Sequence, residues 1–163
     1  MKKVLILANL FHASPRIPAL SKYLPEFGWE STILTVPIKK DPKITLLFPS
    51  NFQDKTRIIE VPYQGDIFWL WRKFLISLGL KEEKSMLYQI KSKFGVTSKK
   101  SFIDYIFKSY RTIFAYPDEE KNWEKPLFER AKELLGNEKF DAILSSSSPV
   151  ITHIVAKKLK EKY

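Results

Sequence analysis

Cysteine is absent, and histidine occurs only at His12 and His153. The first absence removes disulfides and thiolate metal sites; the second leaves too few imidazoles for a zinc constellation. No metal and no resident cofactor are expected. Glycine is scarce, with five residues in 163. None of them builds a GxGxxG turn, which argues against an ordinary dinucleotide-dependent dehydrogenase, and the GxxxxGK[ST] loop of P-loop NTPases is missing too. No apolar run approaches the roughly 18 residues of a membrane span. The opening stretch MKKVLILANLF is short, lacks a small-residue cleavage site and soon meets Pro15 and Arg16. A buried first strand explains it better than a signal peptide. The expected location is cytoplasmic.

The composition that remains is that of a folded domain. Apolar residues make up 44% of the chain, and its length allows one domain with a real core. The net charge of +10 favours anionic partners: nucleotides, nucleic acid or an acidic membrane face. Many of the lysines are scattered singly, as on a solvated surface.

Hydrophobic periodicity divides the chain into strands and helices. The continuous apolar run Lys3 to Ala8 (KVLILA) fits a parallel strand covered on both faces. Asn9 to Pro15 reads as a loop. Ile17 to Phe27 reads as a helix with Ile17, Leu20, Tyr23, Leu24 and Phe27 on one face, shortened or bent at Pro25 and capped by Gly28. Thr32 to Val36 is the second strand, completing a right-handed βαβ unit. A loop region follows from Pro37 to Lys55, with one helical turn near Ile44 to Phe48. Arg57 to Val61 is the third strand. Residues 65–115 read as an aromatic, basic helical insertion: a helix over Ile67 to Leu80, a polar connector over Lys81 to Lys100, and a helix over Ser101 to Phe114 whose apolar arc includes Ile113. Asn122 to Leu135 is an amphipathic helix closed by Gly136. Asp141 to Leu144 is the fourth strand. Pro149 to Lys160 is the last helix, with Pro149 at its first position and Ser148 as N-cap.

Alternating strands and helices predict an α/β fold, a Rossmann-like open, mostly parallel sheet flanked by helices. In such a sheet the strand order 3-2-1-4 places the ligand at the carboxyl ends of the first and fourth strands. The loops there are Asn9 to Arg16 and Ser145 to Ser148. This placement brings His12, Ser14 and Arg16 toward Ser147, Ser148 and His153. A guanidinium, imidazoles and a row of hydroxyls at a helix N-terminus suit a phosphorylated or polyhydroxylated substrate. Each residue also has a plainer role: Arg16 in a surface ion pair, His12 in an exposed loop, His153 at a helix boundary, the serines in a turn. No catalytic acid or base stands out from the residues alone.

The first strand KVLILAN, the stretch SKYLPEFGWESTILTV (Ser21 to Val36), the turn YPDEEKNW (Tyr116 to Trp123) and the segment FDAILSSSSPVITHIVAKKLKEKY (Phe140 to Tyr163) resemble the N-terminal domain of a GT-B fold glycosyltransferase of group 1. These segments span about half the chain. The resemblance implies one half of a two-domain enzyme that moves a sugar from a nucleotide-sugar donor to a glycan or lipid-linked acceptor. It implies that residues 1–163 form a single acceptor-side domain, a truncated piece inactive without its C-terminal donor-binding domain. The loop NLFHASPR has no glycine, a departure from the glycine pair that many members place there near the donor phosphates. Arg16 fits the family's basic residue at the start of the first helix. Members often act on lipid-linked acceptors, and lysines and arginines outnumber acids between Ile67 and Thr112, so peripheral contact with an anionic inner membrane face is one reading of this insertion. The other, slightly favoured because the sheet needs helices to cover it, is that its aromatics are core and its lysines face solvent. The alternative is a stand-alone binding module for nucleotides or phosphorylated sugars. Nucleic acid is a weaker third choice, since no recognition motif concentrates the basic residues.

Overall fold

In the computed structural model of the chain, residues 1–10, 16–38, 56–63, 73, 76, 77, 109, 113 and 116–162 are described. They divide between two compact units, Met1–Tyr63 with Asn122–Tyr163, and Gln64–Lys121. The first unit holds β1 (Lys2–Leu7), α1 (Arg16–Tyr23), β2 (Trp29–Thr35), β3 (Arg57–Glu60), α2 (Glu124–Asn137), β4 (Ala142–Ser145) and α3 (Ile151–Lys162).

The four strands form one parallel sheet in the order β3-β2-β1-β4. The chain moves outward from β1 to β3 and then returns to the other side of β1. This is an α/β architecture, and the strand order is the expected one. Period-2 alternation in KVLIL sends Leu5 and Leu7 to one face, where Leu34, Trp123, Leu127, Ala131, Leu134, Ile151, Val155 and Leu159 join them in a buried cluster. Val4, Ile6 and Ala8 go to the other face, with Leu10, Ile17 and Ile33. Both faces are covered, which is why β1 reads as an unbroken apolar run. Fully burying each leucine or isoleucine contributes about 1.5–3 kcal/mol. Spacings of four and then three or four residues put Leu127, Ala131 and Leu134 on one side of α2, and Ile151, Val155 and Leu159 on one side of α3.

The helices differ from expectation in three places. The first helix stops at Tyr23 and tightens into a 3₁₀ turn over Leu24–Phe27, because Pro25 cannot donate into an α-helical ladder. Gly28 closes that turn at φ 75°, and its N–H reaches the Leu24 and Pro25 carbonyl oxygens. The buried line of α1 is Ile17, Pro18 and Ser21, while Leu20, Tyr23 and Phe27 are exposed. Ser21 is fully buried, so the buried line of α1 is rotated away from the apolar arc. Gly136 does not end α2: the helix runs to Asn137, and extended Glu138 caps it through its N–H to the Leu134 carbonyl. Finally, α3 starts at Ile151 rather than Pro149, and Val150 takes the cap position, accepting from the His153 and Ile154 N–H groups.

In the second unit the two expected helices fall mostly outside the described residues. Lys73, Ile76, Ser77, Ser109 and Ile113 are helical, and Ile113 is exposed rather than turned inward. The turn near its end is held by Asp118, whose Oδ1 accepts from the Glu120 N–H at 2.8 Å. The connector 81–100 and the helical turn near 44–48 also lie outside the described residues.

Candidate functional site

The site is built where the β1 and β4 ladders end. The Ser146 N–H donates to the Leu7 carbonyl at 3.0 Å, one step beyond β4, and Ala8 N–H donates to Leu34 at 3.1 Å. Asn9 follows, buried, and Leu10 N–H donates to the buried Thr35 Oγ1 at 3.0 Å. The β2 hydroxyl thereby fixes the chain at Leu10 as it leaves β1.

On the β4 side the serines and α3 interlock. Thr152 is fully buried, and its hydroxyl donates back to the Ser146 carbonyl at 3.0 Å and the Pro149 carbonyl at 2.8 Å. These bonds fold residues 146–149 against the first turn of α3. His153, in that turn, projects outward. Its Nδ1 lies 2.8 Å from Ser145 Oγ, and its Nε2 lies 2.6 Å from Ser147 Oγ. One imidazole thus bridges the last residue of β4 and the middle of the serine turn. Both ring nitrogens are satisfied, yet His153 remains exposed and Ser147 keeps an exposed place in the turn.

Of the six residues singled out in the sequence, Ser147 and His153 come into contact. Ser148 is exposed in the same turn and does not cap the helix as expected; Val150, two residues later, takes that position. Thr152 ties this turn to α3 through the Ser146 and Pro149 carbonyls, and the helix begins beyond it at Ile151. Arg16 is the first residue of α1 and is exposed. His12 and Ser14 lie outside the described residues. Sequence reasoning passed over Ser145 and Thr152. Ser145 was placed only as the first residue of the loop after the fourth strand, whereas it is the last residue of β4, and its eight-residue separation from His153 has meaning only across a strand–turn–helix corner. Thr152 carried a visible signal, a hydroxyl in the first turn of a helix after a polar turn.

A perturbed carboxyl lies elsewhere, at the amino end of the sheet. There Glu138 accepts from Arg57 Nη1 at 2.5 Å and pairs with Lys3 Nζ at 3.5 Å. The Arg57 hydrogen bond, helped by both positive charges, holds its carboxyl below the usual glutamate value. Among the described residues no group of three or more His, Asp or Glu side chains could hold a metal. No described helix is long and apolar enough to cross a membrane.

The chain matches no protein-family model. No curated protein and no solved structure resembles it closely enough to count as a match.

Proposed function

We propose that this chain is the acceptor-side, Rossmann-like domain of a GT-B fold glycosyltransferase, acting with a C-terminal domain that binds the nucleotide-sugar donor. One observation carries the reading: the hydroxyls of Ser145 and Ser147 converge on His153 at the carboxyl ends of β1 and β4, where a parallel sheet reverses its strand order. Open α/β sheets bind ligands at that position. Hydroxyls, an imidazole and a helix amino end together recognise the hydroxyl and phosphate groups of a glycan or lipid-linked sugar acceptor. The net charge of +10 favours such anionic acceptors and peripheral contact with an anionic membrane face.

The reading is tested by titrating the chain calorimetrically with glycan and polyprenyl-phosphate acceptors, and separately with nucleotide-sugars. Acceptor binding is expected, weakened about tenfold or more in His153→Ala and Arg16→Ala, as loss of a charged or well-placed hydrogen bond implies. Unchanged acceptor affinity in both variants overturns it. Strong nucleotide-sugar binding by this chain alone moves the assignment to a stand-alone nucleotide or phosphosugar module. Tight DNA binding that collapses with added salt moves it to nucleic acid.

A further inference from the structure

We propose that Ser147 is a nucleophile activated by His153, and that this corner of the fold is acylated by activated carboxylic esters. The proposal goes beyond the transferase reading and does not depend on it.

A serine hydroxyl is a weak nucleophile until a base within hydrogen-bond reach takes its proton, and the base in turn needs a third group to orient it. All three positions are filled here. Ser147 Oγ lies 2.6 Å from His153 Nε2, and His153 Nδ1 lies 2.8 Å from Ser145 Oγ. A neutral imidazole has one donor nitrogen and one acceptor nitrogen. With Nδ1–H donating to Ser145, the lone pair sits on Nε2 and faces the Ser147 hydroxyl. Ser145 is anchored as the last residue of β4, paired with Leu7, so the orienting oxygen stands on the sheet rather than on a loop. Thr152 holds the turn that carries Ser147. Ser147 and His153 are exposed, so an ester can reach them. The amino end of α3 adds positive potential that favours the negative oxygen of a tetrahedral intermediate.

The orienting group is a neutral hydroxyl where hydrolytic triads use a carboxylate, so the imidazolium formed during attack gains less stabilisation. Acylation with slow turnover is the consequence. In the step, Ser147 Oγ bonds to the carbonyl carbon of a 4-nitrophenyl ester and its proton passes to Nε2. The bond from that carbon to the nitrophenyl oxygen breaks, nitrophenolate departs, and the proton on Nε2 is released to solvent. A water molecule then gives its proton to the same nitrogen and bonds to the acyl carbon. The bond from that carbon to Ser147 Oγ breaks, the proton on Nε2 returns to Oγ, and the carboxylic acid leaves and loses its proton to solvent.

The test is to mix the full 163-residue chain with 4-nitrophenyl acetate, follow nitrophenolate release, and map the acetyl group by peptide mass spectrometry. A burst of about one equivalent followed by slow release is expected, with the acetyl group on Ser147. Ser147→Ala abolishes the burst, and His153→Gln slows it roughly 100-fold, the low end of what a positioned base contributes. Ser145→Ala slows the burst and Ser145→Thr restores it, which separates a positioning hydroxyl from a merely structural one. His153→Ala at the same exposed position guards against a folding loss in the glutamine variant. Acetyl groups found only on lysines or the amino terminus, no label at all, or equal burst rates in wild type and both His153 variants overturn the proposal.

Discussion

Thr152 is buried, and its single hydroxyl proton is shared between the Ser146 and Pro149 carbonyl oxygens. Replacing it with valine keeps the shape and removes the donor. A buried carbonyl left without a donor costs about 1–3 kcal/mol, and the Pro149 bond is buried while the Ser146 bond is partly so, so Thr152→Val is expected to lower the free energy of urea unfolding by that amount. The same change releases the turn that holds Ser147, so the His153 side-chain resonances are expected to shift in that variant. A stability loss within about 0.5 kcal/mol, the range of an ordinary surface change, would sink this account of Thr152. Trp123 is the opposite kind of buried polar residue. Among the described residues it is the largest fully buried side chain, and its indole N–H has no hydrogen-bond partner there. Its contribution is therefore apolar area, with an edge contact to Tyr63 at 6.4 Å between ring centroids.

At the scale of elements, two glycines have opposite roles that only their backbones reveal. Gly28 ends the turn after α1 at φ 75°, where a side chain is strained even though nothing lies within 4 Å of the place a methyl group would take. Gly28→Ala is expected to cost about 1–2 kcal/mol, the left-handed penalty of an ordinary residue. Gly136 lies inside α2 with equally open space around it. Gly136→Ala is expected to stabilise by about 0.5–1 kcal/mol, since alanine loses less backbone freedom in a helix. Paired thermal melts of the two variants check the sign, and a shift in the same direction for both contradicts the backbone argument.

At the scale of the whole molecule, Glu138 ties the end of α2 to β1 and β3 through Lys3 and Arg57. Its folded carboxyl titrates below the ordinary glutamate value, chiefly because Arg57 donates to it. A lowered acid contributes stability that is fully present above the unfolded value and is lost as pH falls through the folded one. Glu138→Gln is therefore expected to show less loss of stability than wild type between neutral pH and the acid side of that value. Added salt should shrink the difference, because the group is exposed to solvent. Urea midpoints for both proteins at neutral and acid pH, at low and high salt, provide the check. An identical pH dependence in the two proteins removes Glu138 from the acid response.

The sequence by itself determined the local units and their order. KVLILA and TILTV are β-branched and leucine-rich runs that cannot be half-exposed, so two covered strands joined by a helix followed from hydrophobicity and chirality. The strand order then followed from the return of the chain after α2. Gly28 was legible as a cap because it follows an apolar helical pattern directly. The inward face of α1 was not legible, since a serine, Ser21, is fully buried there while Leu20 is exposed. Gly136 misled for a related reason: Glu138 is held by partners on two strands far away in the chain, and the helix extends to meet it. The serine corner was visible as a polar turn before a helix. Only the tertiary structure decided which serines meet His153: Ser145 and Ser147 approach the two nitrogens of that single imidazole, in a turn that Thr152 ties to α3. Hydrophobic pattern is a property of neighbouring residues and survives in the sequence, whereas a hydrogen-bonded corner depends on angles between elements that neighbouring residues do not encode.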